Sequence, residues 1–197
     1  MASILIAYSS VYGYTRKICE VLKAELEGRG HRGEVVPLTE AGAALIRHDV
    51  VVIGASIRHG KHRPDVNEFI HERRDQLAAR PGAFFSVNLV ARKPGKSTPE
   101  TNPYVRRFLA RIPWKPELVG VFAGNIDYPR YDAFDRTIIR LIMWLTDGPT
   151  DPAVSMEFTD WNAVRRYAEG VAALAGGIRA GRECSGELDQ PSGVGGS

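Results

Sequence analysis

Two hydrophobic periods alternate along this chain. Ser3 to Tyr8 is a short continuous apolar run and predicts a buried strand. From Thr15 to about Glu27, Ile18, Leu22 and Leu26 recur on one helical face, and Gly28 and Gly30 end the helix. Gly33 to Leu38 predicts a second, shorter strand. "DVVVIGAS", from Asp49, is a near-continuous β-branched run, the mark of a central parallel strand covered on both faces. Pro64 opens a helix whose apolar stripe is Val66, Phe69, Ile70 and Leu77. "GAFFSVNLV", from Gly82, predicts a fourth strand. The loop "ARKPGKSTPETNP" then leads to a short helix from about Tyr104 to Ala110. "ELVGVFAG", from Glu117, predicts a fifth strand, and "AVSMEF" a strand continuing or flanking it. Thr159 or Asp160 caps a last helix through Trp161, Val164, Tyr167, Val171 and Leu174.

Strands alternating with helices predict an α/β fold with an open, doubly wound sheet. Right-handed crossovers bring the loops after the first, third and fourth strands to one sheet edge. Ligands bind such sheets at the carboxyl ends of the strands, at the switch in strand order. The loops 9–15, 55–63 and 88–97 are therefore expected to converge on one site. No internal repeat is visible. The expected organisation is one domain over residues 1–176, an insertion at about 126–150, and a disordered Gly/Ser-rich tail over 177–197.

Composition narrows the classes. Of 197 residues, 44% are hydrophobic and 25% charged, which suits a globular chain with a real core. Two cysteines are too few for a disulfide framework. Cys19 reads as a core residue, Cys184 as an exposed thiol, and the reducing cytoplasm is the expected compartment. "MASILIAYSS" lacks a basic leader and its apolar run is short, so no export is expected. The net charge of +3 does not identify a nucleic-acid binder, and none is expected. The basic residues do cluster: Arg58, Lys61 and Arg63; Arg92, Lys93 and Lys96; Arg130, Arg136 and Arg140. These are solvated loops and helix faces, or they attract anionic ligands or lipid headgroups.

The candidate chemistry starts in "YSSVYGYT", Tyr8 to Thr15. Ser9, Ser10, Gly13 and Thr15 lie between a strand and a helix, offering hydroxyls, backbone N–H groups and a helix N-terminus. Gly13 lets the backbone turn tightly. No Walker lysine follows and no G-x-G-x-x-G is present, which disfavours a nucleoside triphosphate or a dinucleotide. A single terminal phosphate, as in FMN, fits this loop; the other reading is a capped turn that binds nothing. No metal site is expected.

"SVYGYT" resembles the S/T-x-T-G-x-T phosphate loop of flavodoxins, with Tyr12 in place of the usual hydroxyl residue and Ser9 as a substitute donor. "GASIRHGKHRP" and "SVNLVARKP" resemble the two loops that hold the flavin ring. With "IDYPRYDAFDRTIIRLIMWLTDGPTDP" and "FTDW" added, the chain from Ile4 to Ala175 resembles the menaquinone-dependent protoporphyrinogen IX dehydrogenases, small flavodoxin-like enzymes of haem biosynthesis. The resemblance implies a flavodoxin-like five-stranded parallel sheet of order 2-1-3-4-5 and FMN as cofactor. It places the phosphate among Ser9, Ser10, Val11, Tyr12, Gly13, Tyr14 and Thr15. Ser56, Ile57 and Arg58 would flank one side of the ring, and Ser86, Val87, Asn88 and Leu89 the other, with Arg92 nearby. The ring loops carry Ile57 and Leu89 but no Trp or Tyr at their tips, which implies an open flavin face.

The implied activity is oxidation of protoporphyrinogen IX with menaquinone as acceptor. Arg58 and Arg92 would stabilise the anionic reduced flavin or pair with a propionate, unless they are surface arginines. Lys93, Arg130, Arg136 and Arg140 are further candidates for the substrate or the membrane. His59 and His62 are possible proton acceptors but read better as exposed loop residues; no catalytic base is assigned. On a helix from about Asp132, Phe134, Ile138, Leu141, Ile142 and Leu145 form a stripe, widened by Ile139, Met143 and Trp144. Arg136 and Arg140 lie on an adjoining face. This insert is either an interfacial helix at the inner face of the cell membrane or a core or dimer-interface helix, and the two are compatible. The alternatives are a flavodoxin-like electron carrier, a quinone reductase with another donor, and a non-enzymatic module that has lost the flavin. A sequence pI near 8.9 argues against a simple carrier, since carriers of this kind are usually acidic.

Overall fold

The computed structural model describes residues 1–130, 133–144, 151 and 155–186, with the side chains of 130, 133–135, 142, 144 and 178–186 left aside. The β-branched and apolar runs form β1 (Ser3–Ser9), β2 (Arg32–Pro37), β3 (Val50–Arg58), β5 (Gly82–Val87) and β6 (Leu118–Phe122). They pair in parallel in the order β2-β1-β3-β5-β6. Counted along the chain, these five strands have the expected 2-1-3-4-5 order of the flavodoxin-like fold.

Alternation along the strands builds two cores. Ile4, Ile6, Val50, Val52, Ala83 and Phe85 face α1 (Tyr14–Gly28) and α7 (Trp161–Gly186), meeting Ile18, Leu22, Leu26, Val164, Ala168 and Val171. Leu5, Ala7, Val51, Ile53 and Phe84 point the other way, toward α2 (Ala41–Ala44), α3 (Pro64–Glu72) and α4 (Arg74–Ala78). Residues one apart on a strand go to opposite faces, which is why the central strands read as unbroken apolar runs. Gly54 lies where a Cβ would collide with the ring of Phe85 on the neighbouring strand, so the seating of that ring depends on it. Cys19 is a free, buried core residue, as expected; the side chain of Cys184 lies outside the described residues.

Several boundaries differ from the sequence reading. The helix expected from Pro64 through Leu77 breaks at Arg73 into α3 and α4. "IRHGKH" is a hairpin: β4 (Lys61–His62) pairs antiparallel with the end of β3. Its two turn residues, His59 and Gly60, have φ of 48° and 76°, the geometry of a tight type I′ turn. "AVSMEF" neither continues nor flanks the fifth strand. Ser155–Glu157 (β8) pairs antiparallel with β7 (Asn125–Asp127) in a separate two-stranded ribbon. The last helix, capped by Asp160 Oδ1 on the amides of Asn162 and Ala163, continues past Gly176 to Gly186. Part of the expected disordered tail is therefore helical, and 187–197 lie outside the described residues.

Candidate functional site

At the carboxyl edge of the sheet, the loops after β1, β3 and β5 converge on a cavity of about 430 Å³. Its wall includes Ser10, Val11, Tyr12, Tyr14 and Thr15 from the first loop, Ser56, Ile57 and Arg58 from the second, and Val87, Asn88 and Leu89 from the third. Eleven residues singled out in the sequence thus come together from chain segments far apart.

The first loop is built to receive an anion. Gly13 sits at the N-cap of α1 with φ 82°, and no side chain caps the helix. Its amide donates to Ser10 Oγ at 3.0 Å, which closes the turn. No acidic residue lies in the first helical turn, so the positive end of the helix is left uncompensated. Thr15 Oγ1 is buried and has no hydrogen-bond partner within the protein. An orphaned hydroxyl beside an uncapped helix start fits a phosphate that would satisfy both, so the residues present fit FMN.

Ser9 is a correction. It does not substitute for the missing donor, because its Oγ donates to the Asp65 carboxylate, 3.0–3.1 Å from the two oxygens, and turns away from the cavity. Asp65 is held there by Arg63 at 3.4 Å and by the start of α3. Gly13 shapes the loop without lining the cavity. Tyr14 is tied across the site: its phenol shares a 2.6 Å hydrogen bond with Thr159 Oγ1, which also donates to the Ala123 carbonyl at 2.6 Å. Burial pushes the Tyr14 phenol well above its ordinary range.

The third loop is pinned by a polar chain. Asn88 Oδ1 accepts from the Ala91 amide at 3.0 Å and from Asn102 Nδ2 at 3.1 Å. Asn88 Nδ2 donates to Ser86 Oγ at 3.3 Å, and Ser86 Oγ meets His62 Nε2 at 3.0 Å. Asn102 in turn caps α5 (Pro103–Leu109) through the amides of Tyr104 and Val105. Ser86 is therefore a buried support beneath the cavity, outside its lining. His62 is also a correction: it is not an exposed loop residue. Its ring lies 4.3 Å from that of Phe108 and 5.5 Å from that of Phe84. Desolvation pushes its pKa down to about 4, so it is neutral at pH 7. His59 is exposed and lines the cavity.

Arg58 reaches the wall with its guanidinium carbon 6.0 Å from the Tyr12 ring centre. Arg92 lies outside the lining: it donates to the Leu89 carbonyl at 3.1 Å and stands 6.0 Å over Phe158. Lys93 is also outside it. The insert supplies α6 (Ala133–Trp144), whose Ile138 and Ile139 complete the wall. Arg136 Nε donates to the Tyr128 carbonyl at 3.2 Å, and Arg140 is exposed. Among the described side chains of α6, Ile139 and Met143 pack inward and Ile138 of the expected stripe lines the cavity, while Leu141 of that stripe is 56% exposed. The side chains of Arg130, Phe134, Ile142 and Trp144, and all of Leu145, lie outside the described residues.

Sequence reasoning missed Tyr104, Gly124, Asn125 and Asp127 in the lining. The aromatic content of the site comes from Tyr12, Tyr14 and Tyr104, not from the tips of the ring loops. Nothing local in the sequence pointed to Tyr104 or to β7.

A family model described as a flavodoxin domain matches residues 5–153. The protoporphyrinogen IX dehydrogenase (quinone) of Leishmania major is 42% identical over 172 residues, 86% of this chain and 74% of that protein. The enzyme of the same name from Escherichia coli (strain K12) is 42% identical over 171 residues, 86% of this chain and 94% of that one. The structure of oxidised Flavodoxin 2 from Bacillus cereus superposes with a TM-score of 0.52 at 17% identity, covering 89% of this chain and 99% of that one, a likeness of fold. On these matches, the chain belongs to the protoporphyrinogen IX dehydrogenase (quinone) family of flavodoxin-domain oxidoreductases.

Proposed function

We propose that this protein oxidises protoporphyrinogen IX to protoporphyrin IX and delivers the reducing equivalents to menaquinone, as a step of haem biosynthesis. The observation that carries the reading is the composition of the cavity wall. Three loops suited to FMN are roofed by an added helix that contributes Ile138 and Ile139. An electron carrier needs only an exposed flavin edge, whereas an apolar roof suits a large apolar macrocycle.

FMN, when bound, supplies the two-electron acceptor, so the six-electron oxidation takes three rounds. The chain's own residues bind and orient. Ser10, Thr15 and the start of α1 would hold the phosphate, and Ile57 and Leu89, both in the cavity wall, would stand on the two sides of the ring. Arg58 brings positive charge to the wall, where it favours added negative charge or pairs with a propionate. The outward side of α6, with Leu141 and Arg140, suits contact with an anionic membrane surface, and a cytoplasmic protein resting on the inner face of the cell membrane would meet the quinone there. Self-association is compatible with the same surface. Among the described residues no helix is long and apolar enough to cross a membrane.

The test is anaerobic. FMN-loaded protein is mixed with protoporphyrinogen IX and a menaquinone analogue, and porphyrin fluorescence is followed against a no-enzyme control. The expected result is quinone-dependent porphyrin formation above that control. No rise, with flavin bound and the quinone reducible by other donors, would leave a carrier or a quinone reductase.

A further inference from the structure

Tyr12 stands where the phosphate-loop pattern has a hydroxyl residue, and its packing suggests another task. Tyr12, Leu89, Ile139 and Phe158 all pack against the buried trio Ile126, Tyr128 and Met143. Arg58 lies over the same ring at 6.0 Å, within cation–π reach. One side chain of the phosphate loop therefore sits in the small core that seats α6, and α6 is a wall of the cavity through Ile138 and Ile139. A threonine here has no side-chain atom beyond the γ position and would not span to that core. The position gives up a phosphate hydroxyl and gains an apolar tie to the insert.

The helix depends on this seat. α6 has 12 residues, a length at which an isolated helix is marginal in water. Its inward contacts include Ile139 and Met143, one turn apart, and Arg136 on the Tyr128 carbonyl. Met143 is fully buried while Leu141 points outward. Anything that fixes the seat holds the helix over the site, and anything that loosens it lets the roof come away.

We propose that Tyr12 is a latch coupling cofactor binding to closure of α6, so that FMN completes the pocket for the bulky substrate before the substrate enters. The inference rests on the FMN reading above. A phosphate held by Ser10, Thr15 and the start of α1 orders the loop that carries Tyr12. The ordered ring presents a fixed surface to the seat, and α6 closes on it. Coupling is reciprocal, so a docked α6 tightens FMN by the same factor.

The test is hydrogen–deuterium exchange at residues 133–144 in the full chain, with and without FMN, alongside a flavin-fluorescence titration. Wild type and Tyr12→Phe are expected to show exchange slowed about tenfold by FMN, and Tyr12→Thr less than about twofold, although its new hydroxyl still allows FMN to bind. Met143→Ser, on the helix side of the seat, is expected to lose the same coupling without touching the phosphate loop. Exchange at β1 checks that each variant is folded. In the loaded enzymes, Tyr12→Thr raises the KM for protoporphyrinogen about tenfold with a much smaller change in kcat. Wild type that binds FMN with no slowing at 133–144, or Tyr12→Thr slowed as much as wild type, overturns the latch. Wild type that binds no FMN overturns the cofactor reading and the latch together, and the titration separates the two cases.

Discussion

At the scale of single residues, Thr15 is the informative one. Its hydroxyl is buried and unpartnered, in the wall of the cavity, at the first turn of an uncapped helix. An unsatisfied buried hydroxyl costs about 1–3 kcal/mol in the ligand-free protein. Thr15→Val keeps the shape and removes the polar atom. The expected outcome is a higher melting temperature without FMN, and FMN binding weakened about ten- to hundredfold by titration calorimetry. A variant that melts lower and binds FMN unchanged would make Thr15 a purely structural residue. The sequence identified Thr15 but also offered Ser9, the residue just before the turn. Only the approach of Asp65 from α3 separates them, and that approach is a contact between distant parts of the chain.

At the scale of elements, the chain His62–Ser86–Asn88–Asn102 links the β3–β4 hairpin, β5, the loop after it and α5. Neutral His62 shares a 3.0 Å hydrogen bond with the Ser86 hydroxyl through Nε2, and the Ser86 oxygen accepts from Asn88 Nδ2. In the unfolded chain the imidazole takes up a proton below about pH 6.5, while in the folded protein it does so only near pH 4. The unfolded state therefore binds more protons between those values, and stability falls as pH drops through that window, by roughly 2 kcal/mol at pH 5. His62→Gln keeps a hydrogen-bond partner for Ser86 and removes the titration. Urea unfolding at pH 7 and pH 5 is expected to show a larger loss for wild type than for the variant. Equal losses would place the proton uptake elsewhere. The hairpin that carries His62 was hidden in the sequence, because a type I′ turn is usually announced by Asn-Gly or Asp-Gly and here is His59-Gly60.

At the scale of the whole molecule, the site is roofed by an element with two different faces. Ile139 and Met143 go into the seat and Leu141 faces outward, while the exposed Arg140 stays close enough to act on the Tyr128 phenol, in a chain of net charge +3. An exposed leucine next to an arginine is the pairing expected of a surface helix at an anionic bilayer. FMN-loaded protein is expected to co-sediment with anionic vesicles, less with zwitterionic ones, and less again as salt rises. If α6 makes the proposed contact, Leu141→Asp is expected to weaken anionic-vesicle binding about tenfold, since it puts a charge repelled from the surface where an apolar group would insert. Retained binding in that variant would move the membrane contact away from α6. Loss of self-association in the same variant, with vesicle binding intact, would make this face a subunit interface.

The sequence by itself determined the fold and the place of the site. Continuous β-branched runs make buried parallel strands, helical spacing makes their covers, and right-handed crossovers put three particular loops on one edge. These rules are local or topological, so they can be read without coordinates. The tertiary structure alone decided which side chains use that edge. Ser9 turned to Asp65, His62 went into an aromatic core, Tyr12 joined the seat of the insert, and Tyr104 and Asp127 arrived in the wall from segments with no ligand signature. The orientation of a loop side chain is set by whichever distant element packs against it. Nearest-neighbour patterns carry no record of that packing, which forms only when the sheet, the last helices and the insert close together.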